Sequence, residues 1–242
     1  MAESMMVDIW GQIYLDYWHG ERHPHVYHRD DGNRDTATAE NYFVAPRGIA
    51  DRAMLGALTG RVLDLGCGPG SYTLFVESCG AEVVGVDSAA GAITVCRARG
   101  CRDARIMAID DIDDSLGQFD TVVCMGNTFG IGSSPAHLPQ RLDRVRRLLA
   151  PGGRLLLALL DPLSTSDPKH LAYHDRNRAA GRPPGLTRVR LEYRGDIGDW
   201  WDLWMPTESE LRGAAEAAGW VVRHAVPDGA SRLWVLLPGE RT

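Results

Sequence analysis

The stretch RVLDLGCGPGSYT, residues 61–73, places glycines at 66, 68 and 70 directly after an apolar run. Glycine lets backbone approach a ligand closely and turn its amides toward it. Bare positions at a strand-to-helix turn therefore predict a seat for a nucleotide-like ligand along the loop of Gly66, Gly68 and Gly70. A dinucleotide fingerprint, G-x-G-x-x-G, would need a third glycine at 71, where the chain has Ser71. The spacing is G-x-G-x-G instead, with Asp64 two residues ahead of it. A second carboxylate, Asp87, followed by Ser88, closes EVVGVDS about twenty residues later, where an acid can accept both hydroxyls of a ribose. That acid points to a nucleoside without choosing which one.

These side chains need a frame. RVLDLG (61–66), EVVGVD (82–87), ARIMAI (104–109), FDTVVCM (119–125) and RLLLALL (154–160) are short apolar runs of the buried parallel-strand kind. The clearest helix between them is 135–150, with Leu138, Leu142, Val145 and Leu149 on one face. Ser134 is placed to cap it and Pro135 to take its first position. Thr207–Glu210 reads as a capping box opening a helix to Ala218, closed by Gly219, before two last strands, WVVRHAV and SRLWVLL. Strand–helix alternation predicts a doubly wound α/β sheet. Residues 1–60, rich in aromatics and histidine, read as an N-terminal cap ending in an amphipathic helix with Ile49, Ala53, Met54 and Ala57 on one side. Residues 161–206 read as an insertion after the fifth strand, with TRVRLEYR (187–194) as a half-exposed strand. With no repeat and no linker, the expectation is one domain: cap 1–60, core 61–160, insertion 161–206 and a closing helix and strands over 207–242.

VLDLGCGPG, from Val62 to Gly70, resembles the first motif of the class I S-adenosylmethionine methyltransferases. The resemblance covers 61–160 well, the end of the chain loosely and 1–60 hardly at all. It implies a Rossmann-like seven-stranded sheet, mostly parallel with the last strand antiparallel. It implies S-adenosylmethionine as methyl donor and S-adenosylhomocysteine as product. Gly66, Cys67 and Gly68 would line the methionyl part, and Asp87 with Ser88 the ribose. Asp64 suits the donor's ammonium and sulfonium charge rather than a pyrophosphate. In that family an acid after the third strand often meets the adenine amino group. The matching position here is Ala108, so the backbone of Ala108 and Ile109 takes that place, with Asp110 as the side-chain candidate. A solvated acidic loop is the plain alternative for that run. The fourth strand, FDTVVCMGNTFG, ends where open α/β sheets bring ligands to reacting groups. Its G-N-[ST]-F ending resembles the small-molecule N-methyltransferases of the glycine type, implying Met125 at the cofactor and Asn127 and Thr128 at the acceptor. An asparagine making a tight turn after a strand is the alternative.

Methyl transfer is an in-line displacement, so the protein must align the nucleophile and exclude water. A neutral amine needs no strong base, whereas an alcohol or phenol does. Candidate bases are His137, His170, His174 and Glu192, of which His174 in LAYHDRNR is preferred. Tyr14, Trp18 and Trp201 are candidate acceptor contacts, with core packing as the competing use of such rings. Arg188, Arg190 and Arg194 share one strand face and could grip an anion or simply be solvated. His23, His25 and His28 could gather a zinc ion, but the spacing fits no metal motif, so no metal is expected and HGERHPHVYHRDDG reads as a mobile polar lid.

A net charge of −6 argues against nucleic acid or an anionic membrane as partner and favours a small molecule. Five cysteines without a CxxC pair, and an N-terminus without basic or apolar signal regions, fit a reducing cytoplasm. Oligomeric state is not legible. Three function classes stay open: a small-molecule methyltransferase, a protein or RNA methyltransferase, and a protein that binds S-adenosylmethionine without transferring methyl. An oxidoreductase is the outside alternative.

Overall fold

The computed structural model describes residues 2–46 and 48–239. From its N-terminus the chain forms α1 (Ala2–Trp18), the hairpin β1 (His25–Arg29) and β2 (Arg34–Ala37), and α2 (Ile49–Ala57). Next come β3 (Val62–Leu65), α3 (Ser71–Ser78), β4 (Val83–Asp87), α4 (Ala90–Ala98) and β5 (Ala104–Ile106). They are followed by β6 (Phe119–Cys124), α5 (Leu138–Leu148), β7 (Leu149–Leu160) and α6 (Pro168–Ala179). The chain ends with β8 (Leu186–Tyr193), β9 (Asp196–Ile197), β10 (Trp201–Trp204), α7 (Glu208–Ala217), β11 (Trp220–Asp228) and β12 (Ser231–Pro238).

Seven strands form one sheet in the order β11-β12-β7-β6-β3-β4-β5. β4 runs parallel to β5 and β6 to β7, while β12 runs antiparallel to both β7 and β11. The reversed last strand and the doubly wound order are those the family resemblance implies. All four residues of β3, and all but the last of β4, are buried, which is why their runs are apolar without alternation.

A second sheet, β10-β8-β1-β2 with β9 on β8, corrects the reading of the N-terminal segment. The expected polar lid is a hairpin, with β1 antiparallel to both β2 and β8 and His25 opposite Tyr193. HVYHR alternates, so His25 and Tyr27 share one face and Val26 and His28 the other. The cap is therefore half helix and half sheet.

The chain divides into two units. The first holds the chain up to Pro46, Leu63–Ile109 and Arg188–Trp201. Its core joins Ile9, Ile13 and Tyr14 of α1 to Ala92 and Val95 of α4 and Leu191 and Tyr193 of β8. Asp16, buried in α1, accepts hydrogen bonds from Tyr193 Oη (2.9 Å), Arg194 Nη1 (2.8 Å) and Gln12 Nε2 (2.5 Å).

The second unit holds residues 48–62, Asp110–Thr187 and the chain from Asp202 onward. Leu138, Leu142, Val145 and Leu148 of α5 are buried, as are Leu211 and Ala215 of α7 and Leu155–Leu157 of β7. Helix α5 starts at Leu138, not at Pro135, and His137 rather than Ser134 precedes it. A start at 135 would require the missing N–H of Pro139 to bond the carbonyl of 135, whereas near the helix start that N–H is not needed. Strand β7 begins at Leu149, five residues before the expected RLLLALL, and accommodates the glycines with a register shift between Phe119 and Thr121. The capping box at Thr207 and Glu210 is present, and Gly219 (φ 72°) follows the helix end. In α2, Met54 is fully buried and Ala53 and Ala57 partly so, while the side chain of Ile49 lies outside the described atoms. Among the described residues no helix is long and apolar enough to cross a membrane.

Candidate functional site

After β3 the backbone turns left-handed at Gly66 (φ 72°), Gly68 (φ 53°) and Gly70 (φ 89°), a region that only glycine enters without strain. Two amides, of Gly66 and Cys67, donate to the Val86 carbonyl at 2.8 and 3.0 Å, and Gly70 donates to Cys67 O at 2.9 Å. Asp87, the last residue of β4, receives Gly68 N on Oδ2 (2.9 Å) and Ala89 N on Oδ1 (2.8 Å). Burial raises its carboxyl and these two amides pull it back down. Each carboxylate oxygen keeps a further lone pair, so the group fixes the loop and can still accept from two hydroxyls. A Cβ at 68 would stand 3.7 Å from the Tyr14 hydroxyl, an ordinary contact, so it is the left-handed φ rather than crowding that calls for glycine there. At Gly70 a Cβ would collide at 2.6 Å with the sulfurs of Cys96 and Cys101.

Behind the loop, Asp64 is 2% exposed and accepts a 2.7 Å hydrogen bond from Thr73 Oγ1. Burial pushes its carboxyl up to about 6, against the partial relief that Thr73 gives. The folded state thus holds this proton more tightly than the unfolded chain, whose aspartates titrate near 3.9. The associated stability is fully present below about pH 4 and is lost as pH rises through about 6. Asp64→Asn removes the cost of burying a charge, on the order of 2 kcal/mol for a shift of this size. Denaturant titrations should therefore show the variant gaining by roughly that amount relative to wild type between pH 4 and pH 7.5. A difference independent of pH would reject the charge-burial account.

The remaining sequence candidates fall in different places. Ser88, Ala108 and Ile109 are half-buried in the same unit as the glycine loop. Asp110 belongs to the other unit, where Arg141 grips it with two bonds of 2.9 and 2.6 Å and Arg144 approaches to 3.3 Å. Arg141 holds its carboxyl below the usual range even against burial. Arg141 is itself 3% exposed and donates to Phe129 O, so this acid ties the loop after β5 to α5. Sequence reasoning missed that pair, although Arg141 falls in phase with the apolar face set by Leu138 and Leu142.

Asn127 adopts a left-handed conformation (φ 66°), which asparagine tolerates better than most residues. Its Oδ1 accepts from Leu160 N (2.6 Å) and its own N–H bonds Ala158 O (3.1 Å), pinning the end of β6 to the end of β7. The tight turn is therefore real. Thr128 donates to the carbonyl of Met125, itself buried, at 2.9 Å. His174 is 4% exposed within α6. Glu192 is bonded to His28 (2.6 Å) and Arg34 (2.9 Å), His170 lies 4.0 Å from Asp167, and His137 contacts Ser134.

Around Tyr14 stands an aromatic group the sequence only half revealed. Trp10 stacks on Tyr14 (5.4 Å between centroids) and meets Tyr42 edge-on (5.3 Å) and His25 edge-on (5.4 Å). Tyr14 meets Tyr42 at 5.3 Å, and the Tyr27 and Tyr42 hydroxyls lie 3.4 Å apart. The alternation in HVYHR was the signal that His25 and Tyr27 share a face. Trp18 ends α1 at 44% exposure and joins none of these ring contacts. Trp201 is half-buried at the start of β10. Arg190 stacks on Trp200 at 4.6 Å and Arg194 bonds Asp16, so the arginines of this segment do not converge on one point. Among the described residues no group of three or more His, Cys, Asp or Glu is placed to hold a metal ion.

Residues 62–153 match the methyltransferase domain family. Among curated proteins, the chain is 33% identical over 118 residues to the ubiquinone biosynthesis O-methyltransferase of Xanthomonas oryzae pv. oryzae, covering 45% of this chain and 46% of that one. The homologous enzyme of Xanthomonas campestris pv. campestris is 34% identical over 110 residues, 42% of this chain and 43% of that one. The chain thus matches under half the length of these relatives. Among solved structures, a SAM-dependent methyltransferase from Bacteroides fragilis in complex with S-adenosyl-L-homocysteine superposes with a TM-score of 0.81 at 22% identity, covering 99% of this chain and 97% of that one. The CcbJ methyltransferase from Streptomyces caelestis superposes with a TM-score of 0.64 at 17% identity, covering 81% and 91%. With the reversed last strand, the bare loop and the acid at its back, these matches show that residues 62–153 are a methyltransferase domain and that the chain has the fold of S-adenosylmethionine-dependent methyltransferases.

Proposed function

We propose that the chain transfers a methyl group from S-adenosylmethionine to a nitrogen or oxygen of a small-molecule acceptor, releasing S-adenosylhomocysteine. One observation carries this reading: a loop of three left-handed glycines locked by Asp87 through Gly68 N, with the buried acid Asp64 beneath it. The fit to the donor rests on that cradle. Gly66, Cys67 and Gly68 leave room for the methionyl part, and the free lone pairs of Asp87 accept the ribose hydroxyls, with Ser88 beside them. The backbone of Ala108 and Ile109 takes the adenine edge, because the Asp110 carboxylate is engaged by Arg141. Met125 packs at the cofactor.

When bound, the donor supplies a methyl carbon already activated by positive sulfur. The chain's own work is then orientation and exclusion of water. Asn127 offers its amide nitrogen and Thr128 its position after the turn to the acceptor, while Tyr14, Trp18 and Trp201 contribute apolar walls. His174 is the base for an acceptor that must lose a proton before attack. A net charge of −6 and the small-molecule chemistry in the relatives' names support a small acceptor over a nucleic acid.

The test is incubation of the purified chain with S-adenosylmethionine and a metabolite panel, read by mass spectrometry. S-adenosylhomocysteine with a methylated product is the expected result. Absence of any methylated product rejects transfer, and stabilisation by NAD or NADP rather than S-adenosylmethionine in a thermal shift rejects the donor.

A further inference from the structure

The imidazole of His25 is 0% exposed, and neither ring nitrogen has a hydrogen-bond partner among the described residues. Leaving such a buried group unpaired is costly, a penalty structures carry where a ligand or water completes the group. Its neighbours are rings: Trp10 and Tyr27, each centred 5.4 Å from it and each half-buried, so both reach the surface while His25 does not. Tyr42 closes the group, its hydroxyl 3.4 Å from that of Tyr27. Tyr14, stacked on Trp10, carries this wall to the front of the glycine loop at Gly68.

We propose that His25, Trp10, Tyr27 and Tyr42 form the recognition surface for the methyl acceptor, and that the acceptor is an uncharged, hydroxylated aromatic ring whose hydroxyl is held by a His25 nitrogen. The class follows from the chemistry of the group and rests on the methyltransferase reading above. Ring edges and faces favour a planar partner. No carboxylate is bonded to His25, and burial alone drives its imidazolium down to about 4, so the place is hostile to a cation and lacks a counter-ion for one. A neutral imidazole is both donor and acceptor, which suits a phenolic hydroxyl. At the same time it is too weak a base to deprotonate that hydroxyl, so His25 is a positioning residue.

The probe is catechol, compared with cyclohexane-1,2-diol, which keeps the hydroxyl pair without the ring face, and with tetramethylammonium. Binding is measured by calorimetry on the full chain saturated with S-adenosylhomocysteine. Catechol should bind at least tenfold more tightly than either comparison compound. His25→Phe should lose at least tenfold in catechol affinity with S-adenosylhomocysteine affinity unchanged, and His25→Asn should recover part of the loss. In wild type, long-range proton–nitrogen spectra distinguish His25 from the other seven histidines by its low titration point, and its ring resonances should shift on adding catechol. That readout stands even where the Phe variant misfolds. Equal binding of the diol, tighter binding of tetramethylammonium, unchanged affinity in a folded His25→Phe, or silent His25 resonances overturns the proposal. Failure to bind catechol by a chain that still binds S-adenosylhomocysteine overturns the acceptor class alone, whereas failure to bind S-adenosylhomocysteine strikes the methyltransferase reading itself.

Discussion

Asp87→Ala should weaken S-adenosylhomocysteine binding by about 100- to 1,000-fold. The carboxylate serves two clients. It accepts Gly68 N and Ala89 N, and those bonds hold the glycine loop at the end of β3 in its left-handed course. Its other lone pairs are the proposed acceptors for the ribose. Hydrogen bonds to a charged group contribute about 1.5–3 kcal/mol each. Two such bonds are worth about 3–6 kcal/mol, and at 1.4 kcal/mol per factor of ten the lower part of that range gives the expected loss. Asp87→Asn should recover little, because its NH2 end would face a backbone N–H where an acceptor is required. Calorimetry with S-adenosylhomocysteine reads the effect, and circular dichroism checks that β4 and the sheet survive. Affinity within threefold of wild type in a folded variant would remove Asp87 from the nucleoside site.

What was legible in the sequence divides along a physical line. The glycine loop could be read because left-handed backbone demands glycine residue by residue, and Gly66, Gly68 and Gly70 each meet that demand. Strands β3, β4 and β6 could be read because burial on both faces leaves no polar alternation to confuse with a helix. The hairpin at β1 and β2 could not. HVYHR is polar by composition, and what makes it a strand is the pairing of His25 with Tyr193 and of His28 with Arg190, far along the chain. Asp110 shows the same limit for a side chain. An acidic run after a strand is legible as acid, but its engagement by Arg141 depends on where α5 begins, and Ser134 with Pro135 signals a start three residues ahead of the true one. For Asn127 the structure shows the turn use, its side-chain oxygen pinning Leu160 N, while its place at the acceptor is the proposal made above.

The close approach of α1 to α4 was invisible to pattern reading, and it carries the second large effect. At Gly91 a Cβ would stand 2.5 Å from Gly11 O and 2.6 Å from Gly11 C and Cα, all backbone atoms that cannot swing aside. At Gly11 the reciprocal Cβ would meet Gly91 N at 3.1 Å and Cα at 3.3 Å, a tight but tolerable fit. The two substitutions to alanine therefore separate, although both gain about 1 kcal/mol of helix propensity. Gly91→Ala must displace α1, with a net loss of about 2 kcal/mol after that gain. In a chain of this size such a loss lowers Tm by about 4–8 °C. Gly11→Ala should fall within about 1 kcal/mol of wild type, its crowding offset by the same propensity gain. Gly213→Ala, at a helical position with nothing within 4 Å of its Cβ, supplies the propensity gain by itself. Because α1 also carries Trp10 and Tyr14, Gly91→Ala should weaken catechol binding and ligand capture at the glycine loop together, whereas Gly213→Ala should leave both unchanged. If Gly91→Ala melts with wild type while Gly11→Ala melts early, the contact surface of the two helices has been assigned the wrong way round.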